Sequence, residues 1–268
     1  EASGRNGGHC NNGIAHDFSA LAASQGIERA RTIYRAFDAA VDAVESTVRE
    51  ESIDCNFARG GKLKLAAKPK HYDSLSRACE VLRREVDPDV EMVPPERVRD
   101  EVDSALFFGG MIQKKSAQLH MGKFAVGLAD AVLSRGAQIY ESATVTKIER
   151  LGGDRHRLTT DRGAIEAGQV LVATGASRSG PLGWFRRRLV PIGSFIIVTE
   201  PLAPALLDRI TPHRRSYVTT RNVGNYFRTT PDNRLLFGGR TRFTMSNQRS
   251  DEECGRILRN TMQQVFPA

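Results

Sequence analysis

The chain has 268 residues, of which 39 are Lys or Arg and 31 are Asp or Glu, giving a net charge of +8, with 40% hydrophobic residues, 24 Gly, 11 Pro and 4 Cys. These proportions suit one large globular domain or two smaller ones, and they exclude collagen, a disulfide-stapled scaffold and wholesale disorder. No apolar run reaches the ~18–20 residues of a membrane helix, so the chain reads as a soluble protein without a membrane span.

Residues 1–13 hold four glycines and three asparagines and read as a loop. Ile27, Ala30, Tyr34, Phe37, Val41, Val44 and Val48 then recur at spacings of three and four, which predicts one amphipathic helix with a buried stripe that includes Tyr34 and Phe37. Residues 53–66 read as extended and broken at Gly60-Gly61, residues 72–86 as helical, and Glu96–Val102 as a short helix started by Pro94-Pro95. After an irregular, partly extended stretch from Ser104 to His120 comes a helix at about Gly122–Ser134, with Gly136 where a left-handed cap belongs. Strands are predicted at Gln138–Tyr140, Thr144–Glu149 and Arg155–Thr160, with a reversal at Asp161-Arg162-Gly163. The run Val170-Leu171-Val172-Ala173 has the composition of a strand buried on both faces.

Beyond Gly180 the texture changes to four strands, at 189–199, 216–221, 225–230 and 234–240, joined by short turns in an antiparallel pattern. A final helix opens on the capping box Ser250-Asp251-Glu252-Glu253 and carries Ile257, Leu258, Met262 and Val265. Helix–strand units of a parallel-sheet type thus alternate with an antiparallel meander, which makes an α/β chain of two interleaved modules.

Only 8 of the basic residues are Lys against 31 Arg, a bias that suits a GC-rich, bacterial genome. The clusters Arg186-Arg187-Arg188 and His213-Arg214-Arg215 extend into no longer basic stripe with interleaved aromatics, so no nucleic-acid partner is expected. Cys10, Cys55, Cys79 and Cys254 form no C-x-x-C pair, which suits a reducing cytosol and a cytoplasmic location. His9 stands beside Cys10 without a partner at ligand spacing, so no metal is expected.

Two motifs carry chemistry. Ser3-Gly4-Arg5-Asn6-Gly7-Gly8-His9 combines small residues, whose backbone can approach an anion closely, with a planar cation; the alternative is a loose terminus. The apolar run ending at Thr174-Gly175 would put backbone at the carboxyl edge of a sheet, where cofactors bind; the alternative is an ordinary exit from a strand. Tyr226, Arg228 and Arg240 lie on strands whose alternation aims some of them into a pocket, and Arg240, just past Gly238-Gly239, is the best candidate to bind a carboxylate.

The segment Ala2-Ser3-Gly4-Arg5-Asn6-Gly7-Gly8 resembles the D-amino-acid-oxidase-type family of FAD-dependent oxidoreductases, in its gamma-glutamylputrescine oxidase-like branch. The resemblance continues in order through His120-Met121-Gly122-Lys123-Phe124, Gly136-Ala137, Leu171-Val172-Ala173-Thr174-Gly175, Thr199-Glu200-Pro201-Leu202, Tyr226-Phe227-Arg228 and Leu235–Arg240. It implies an incomplete, Rossmann-like FAD-binding domain (1–57 and 115–180) interleaved with a mainly antiparallel substrate-domain sheet (58–114 and 181–268). Ser3, Gly4, Arg5, Asn6, Gly7 and Gly8 would lie by the flavin and pyrophosphate, Val145, Ala173, Thr174 and Gly175 on the adenosine side, and His120, Tyr226 and Arg240 near the substrate, with the catalytic group unassigned.

The implied reaction is oxidation of a primary or secondary amine to an imine by hydride transfer to flavin. The alternatives are an N-methyl amino-acid oxidase or quinone-linked dehydrogenase on the same scaffold, or a degenerate binding domain without turnover. The sequence departs from the family in containing no G-x-G-x-x-G, the turn that holds a pyrophosphate at a helix N-terminus. It is therefore expected to be an internal piece of a longer enzyme, inactive alone and binding FAD poorly or not at all.

Overall fold

The computed structural model describes residues 2–14, 17–175, 180–190, 192–242 and 248–267, with the side chains of 240–242 and 248–250 outside the described set. The chain divides into two compact units, one of Glu1–Ala131, Ser194–Thr241 and Asn247–Ala268, the other of Val132–Gly193 and Arg242–Ser246.

In the first unit, a helical turn, α1 (Ala2–Arg5), and a two-residue strand, β1 (His9–Cys10), stand where the sequence reads as a loop. α2 (Phe18–Gln25) follows, unanticipated because it is only two turns long and Ser, Gln and Ala blur its period. The Asp17 carboxylate accepts from the Ala20 amide and caps it. Gly26, at φ +87°, ends α2 and starts α3 (Ile27–Glu50). Ala30, Tyr34 and Val41 form the buried stripe of α3, but Phe37 does not belong to it: at 45% exposure it sits on the solvent flank.

β2 (Lys62–Leu65) leads through Pro69 at the first helical position into α4 (Pro69–Glu85). Then come β3 (Glu91–Val93), a 3₁₀ turn over Pro95–Asp100, β4 (Gly110–Gln113), β5 (Ala117–Gln118) and α5 (Met121–Ser134). α5 packs through Phe124 and Leu128 on Ile53, and a Cβ on Gly127 would stand 2.3 Å from Ile53, so that glycine permits the approach.

The second unit holds the meander β6 (Val145–Arg150), β7 (His156–Thr160) and β8 (Gly163–Ala167), all antiparallel, with the expected reversal before Gly163. α6 (Gly183–Arg186) is a single turn. Two expected strands are absent. Residues 138–140 are irregular, and 170–174 form no strand, with Leu171 91% exposed. A four-residue apolar run becomes a doubly buried strand only with hydrogen-bonded neighbours on its edges, and among the described residues none pairs with it.

The remaining elements are β9 (Gly193–Val198), α7 (Pro204–Ile210), β10 (Ser216–Thr219), β11 (Tyr226–Thr229), β12 (Leu235–Arg242) and α8 (Gln248–Val265). The capping box expected at Ser250 lies outside the described side chains. These strands join the earlier ones in a seven-stranded sheet of order β3-β4-β2-β10-β11-β12-β9. The β2–β10 pair is its parallel one and the other described registers are antiparallel, so the fold is mixed α/β.

Alternation divides the residues of this sheet between two faces. Leu63, Leu65, Ile112, Tyr217, Phe227 and Phe237 point to one, against Leu207 of α7 and Leu258 and Val265 of α8. Three aromatic rings stack across adjacent strands there: Tyr217 on Phe227 at 4.8 Å and Phe227 on Phe237 at 5.7 Å. The opposite face carries Lys62, Lys64, Met111, Gln113, Val218, Tyr226 and Arg228.

Candidate functional site

The glycine segment folds back on itself. Asn6 donates from its amide to the Ser3 carbonyl at 3.0 Å and accepts from the Gly8 amide at 3.0 Å. Gly8 has φ +69°, and a Cβ there would stand 2.0 Å from the Leu119 carbonyl oxygen, so no side chain fits. A Cβ on Gly7 would meet the Tyr226 ring at 3.1 Å, and one on Gly238 would meet it at 2.3 Å. The glycines are therefore required by the close seating of the segment and of β12 around one aromatic ring.

Arg228, two residues along β11 from Tyr226 and on the same face, fastens that seat. Its Nε donates to the Gly7 carbonyl at 2.6 Å, Nη2 to Leu119 at 3.0 Å and Nη1 to Thr229 at 3.2 Å. It is 5% exposed, and burial lowers its pKa. The sequence reads Arg228 as one of three strand residues of which some face a pocket; it lines a cavity of about 300 Å³, and its Nε, Nη1 and Nη2 each also donate to a main-chain carbonyl.

His9 follows the glycine pair and begins β1. Its ring lies edge-on to Tyr226 with centroids 5.3 Å apart, and both Nδ1 and Nε2 are buried without a hydrogen-bond partner among the described residues. Burial first, then the charges of Arg228 and Lys62, push its pKa down to about 3, so at neutral pH it is an uncharged imidazole. A buried polar group without a partner is costly and uncommon. Adjacency to the glycine pair was the only signal in the sequence that could have pointed to it.

His120 precedes α5 and is solvent-exposed. Its amide donates to the Cys55 carbonyl at 2.7 Å and its Nδ1 accepts from the Lys123 amide at 3.2 Å, which caps the helix. A Cβ on Gly122 would lie 3.2 Å from the His120 ring and 3.8 Å from the Gly4 carbonyl, so His120 neighbours the start of the glycine segment. Tyr226 Oη is 3.3 Å from Ser194 Oγ.

Of the residues singled out in the sequence, Gly4, Gly7, Gly8, His120 and Tyr226 thus lie on or beside one segment, and Ser3 and Arg5 belong to α1 next to it. Arg240 belongs to β12, but its side chain is outside the described residues. In the second unit, Val145 is half-buried in β6, Ala173 and Thr174 are exposed and irregular, and Gly175 has φ +58° with open space around it. Among the described residues no cluster of His, Cys, Asp and Glu could hold a metal ion, and no helix is long and apolar enough to cross a membrane.

The family described as "DAO: FAD dependent oxidoreductase" matches residues 1–268. Gamma-glutamylputrescine oxidoreductase of Escherichia coli (strain K12) is 27% identical over 267 residues, 99% of this chain and 61% of its own length. The probable oxidoreductase OrdL of Haemophilus influenzae is 27% identical over 272 residues, with the same two shares. The chain thus spans 61% of the length of these curated relatives. Among solved structures, glycine oxidase from Geobacillus kaustophilus superposes with a TM-score of 0.73 at 21% identity, covering 99% of this chain and 68% of that one. L-proline dehydrogenase from P. horikoshii superposes with a TM-score of 0.67 at 15% identity, covering 96% and 66%. The match over the whole chain makes it a member of the DAO family of FAD-dependent oxidoreductases.

Proposed function

We propose that this chain belongs to an enzyme that oxidises a primary or secondary amine with FAD, and that the face built from Gly4–Gly8, His9, His120 and Tyr226 meets the flavin and the substrate. The observation that carries this reading is His9. Its two ring nitrogens are buried without partners among the described residues, beside Gly7 and Gly8 where side chains do not fit, and this unused hydrogen-bonding capacity suits a heterocycle with polar edges. A buried, neutral imidazole can offer one donor and one acceptor without adding charge. FAD, when bound, supplies the two-electron acceptor that no side chain provides.

The chain's own residues then position and desolvate. Arg228 fixes the Gly7 and Leu119 carbonyls, and so the line of the segment; Tyr226 walls the site with its ring and presents a hydroxyl shared with Ser194. An amine substrate must lose its proton before its carbon gives up electrons, and the buried positive charge of Arg228 disfavours a second cation nearby. A γ-glutamylated amine is the first substrate to try, because that is what the name of the Escherichia coli relative specifies.

The test is anaerobic mixing of the flavin-loaded, full-length enzyme with a panel of amines, amino acids and L-α-glycerophosphate while following the flavin's visible absorbance. Bleaching by an amine, and a rise in KM with Tyr226→Ala but little with Tyr226→Phe, is the expected result. Bleaching by glycerophosphate alone would overturn the reading.

A further inference from the structure

On the same sheet face as Tyr226, a cavity of about 540 Å³ opens between β2, β4 and β10 below and α2, α3 and α4 above. That volume lies within the range of small-molecule sites, about 300–1,000 Å³. The amine reading assigns it no role.

Its walls are of two kinds. Phe18, Leu75, Leu82 and Met111 make one part apolar. The other part is cationic: Lys62, Lys64 and Arg221 line it, with His71 beside them. Asp17 is the one carboxylate among the described lining residues, and it is engaged in capping α2. Neutral polar groups of the lining are also committed to the protein itself: Gln113 donates to Tyr34 Oη at 2.8 Å, and His71 Nδ1 shares a hydrogen bond of 2.7 Å with Thr220.

Lys62 is the informative residue. It is 8% exposed, and its Nζ donates to the Asn12 carbonyl at 2.8 Å, with no carboxylate within ion-pair distance among the described residues. The two acids behind it are occupied: Asp38 accepts from Asn12 at 2.9 Å and lies 3.4 Å from Lys115, and Asp87 accepts from Tyr34. Burial, then the neighbouring Lys64, pushes the Lys62 pKa down to about 8, against the pull of Asp38 and Asp87. Lys62 and Lys64, two residues apart on one face of β2, line a half-open cavity whose described lining offers them no free carboxylate, and this favours an anion, because burial at Lys62 strengthens the attraction of a counter-charge.

We propose that this cavity is a binding site for a small organic acid, with its carboxylate held by Lys62 and Lys64 and its apolar chain against Leu75, Leu82 and Met111. The register supports this division: Lys64 is the cross-strand partner of Met111, so cation and apolar wall adjoin on one face. A bare inorganic anion would leave the apolar wall in water; an uncharged chain would leave the lysines unpaired. The acid is either free or the far end of an elongated substrate. Val218, which lines the cavity, is the cross-strand partner of both Lys64 and Tyr226, which puts the latter two strand spacings apart, about 10 Å.

The test is isothermal titration of the full-length enzyme with hexanoate, with hexanol and inorganic phosphate as controls. It needs neither flavin nor turnover, so its failure leaves the amine reading standing. Saturable binding of hexanoate, at least tenfold tighter than either control and weakened at least tenfold by Lys62→Met and by Lys64→Gln, is expected. Lys64 is solvent-exposed, so its variant tests the site without disturbing the fold. No saturable hexanoate binding, equal affinity for hexanol or phosphate, or indifference to Lys64→Gln overturns the proposal. In the full-length enzyme, competition of hexanoate with the amine identifies the occupant as the substrate's acid end, and inhibition that leaves KM unchanged identifies a separate acid; both uphold the site.

Discussion

Arg228 donates its Nε to the carbonyl of Gly7 at 2.6 Å, joining positions 221 residues apart in sequence. The same guanidinium holds Leu119 and Thr229, so one buried cation closes three main-chain strands onto each other.

Replacing it exposes what that bond is worth. Arg228→Ala leaves the Gly7 carbonyl and its neighbours without donors in a buried setting, each worth about 1–3 kcal/mol. A loss of about 3 kcal/mol or more in unfolding free energy is expected from urea titration. Arg228→Lys recovers only part of it, because an ammonium cannot span three carbonyls arranged for a planar fork.

Two glycines with positive φ separate strain from contact. Gly136→Ala, at φ +84° with nothing within 4 Å, incurs only the left-handed backbone cost of about 1–2 kcal/mol. Gly8→Ala, at φ +69°, adds a collision with the Leu119 carbonyl and is expected to destabilise by at least twice as much or to dislodge the segment altogether. Thermal melts of the two variants side by side make the comparison.

His9 makes stability depend on pH. Its folded pKa of about 3 lies below the ordinary 6.5, so above pH 6.5 it is neutral folded or unfolded and contributes no slope. Between about 6.5 and 3 the unfolded chain takes up a proton that the folded chain refuses, and stability falls by up to about 1.4 kcal/mol per pH unit from this group. The His9→Gln variant should show a shallower loss over that window. An equal slope in both proteins would mean that His9 titrates normally.

The stacked rings of Tyr217, Phe227 and Phe237 meet the segment just past α8 at Phe266, which lies edge-on to Phe227 at 5.4 Å. Phe227→Ala removes the middle ring of a fully buried stack and is expected to cost about 3–5 kcal/mol. Phe227→Leu should cost less than half of that, as measured by chemical denaturation.

Local periodicity alone determined much of the chain. α3, α4, α5, the strands β6 and β7 with the reversal after them, and the strands β9 to β12 follow from spacings of three and four, from alternation and from turn residues, because in each the local preference and the buried face agree. The close approach at Gly7 and Gly8 was legible as a demand for small residues, because backbone approach excludes side chains wherever it occurs. Neighbours distant in sequence decided the rest. Residues 170–174 have the composition of a buried strand, yet among the described residues no strand pairs with them, and hydrophobicity cannot supply the missing edge. Phe37 fits the helical stripe by spacing but falls outside the arc that α3 buries. Arg228 is bound to carbonyls 109 and 221 residues away, and His9, which the sequence places at the end of the glycine motif, is buried against Tyr226. The cationic cavity has no motif at all, since Lys62 and Lys64 come from one strand, His71 from a helix and Arg221 from beyond another strand. Their shared wall exists only once β2 pairs in parallel with β10, a contact between segments more than 150 residues apart that no local pattern encodes.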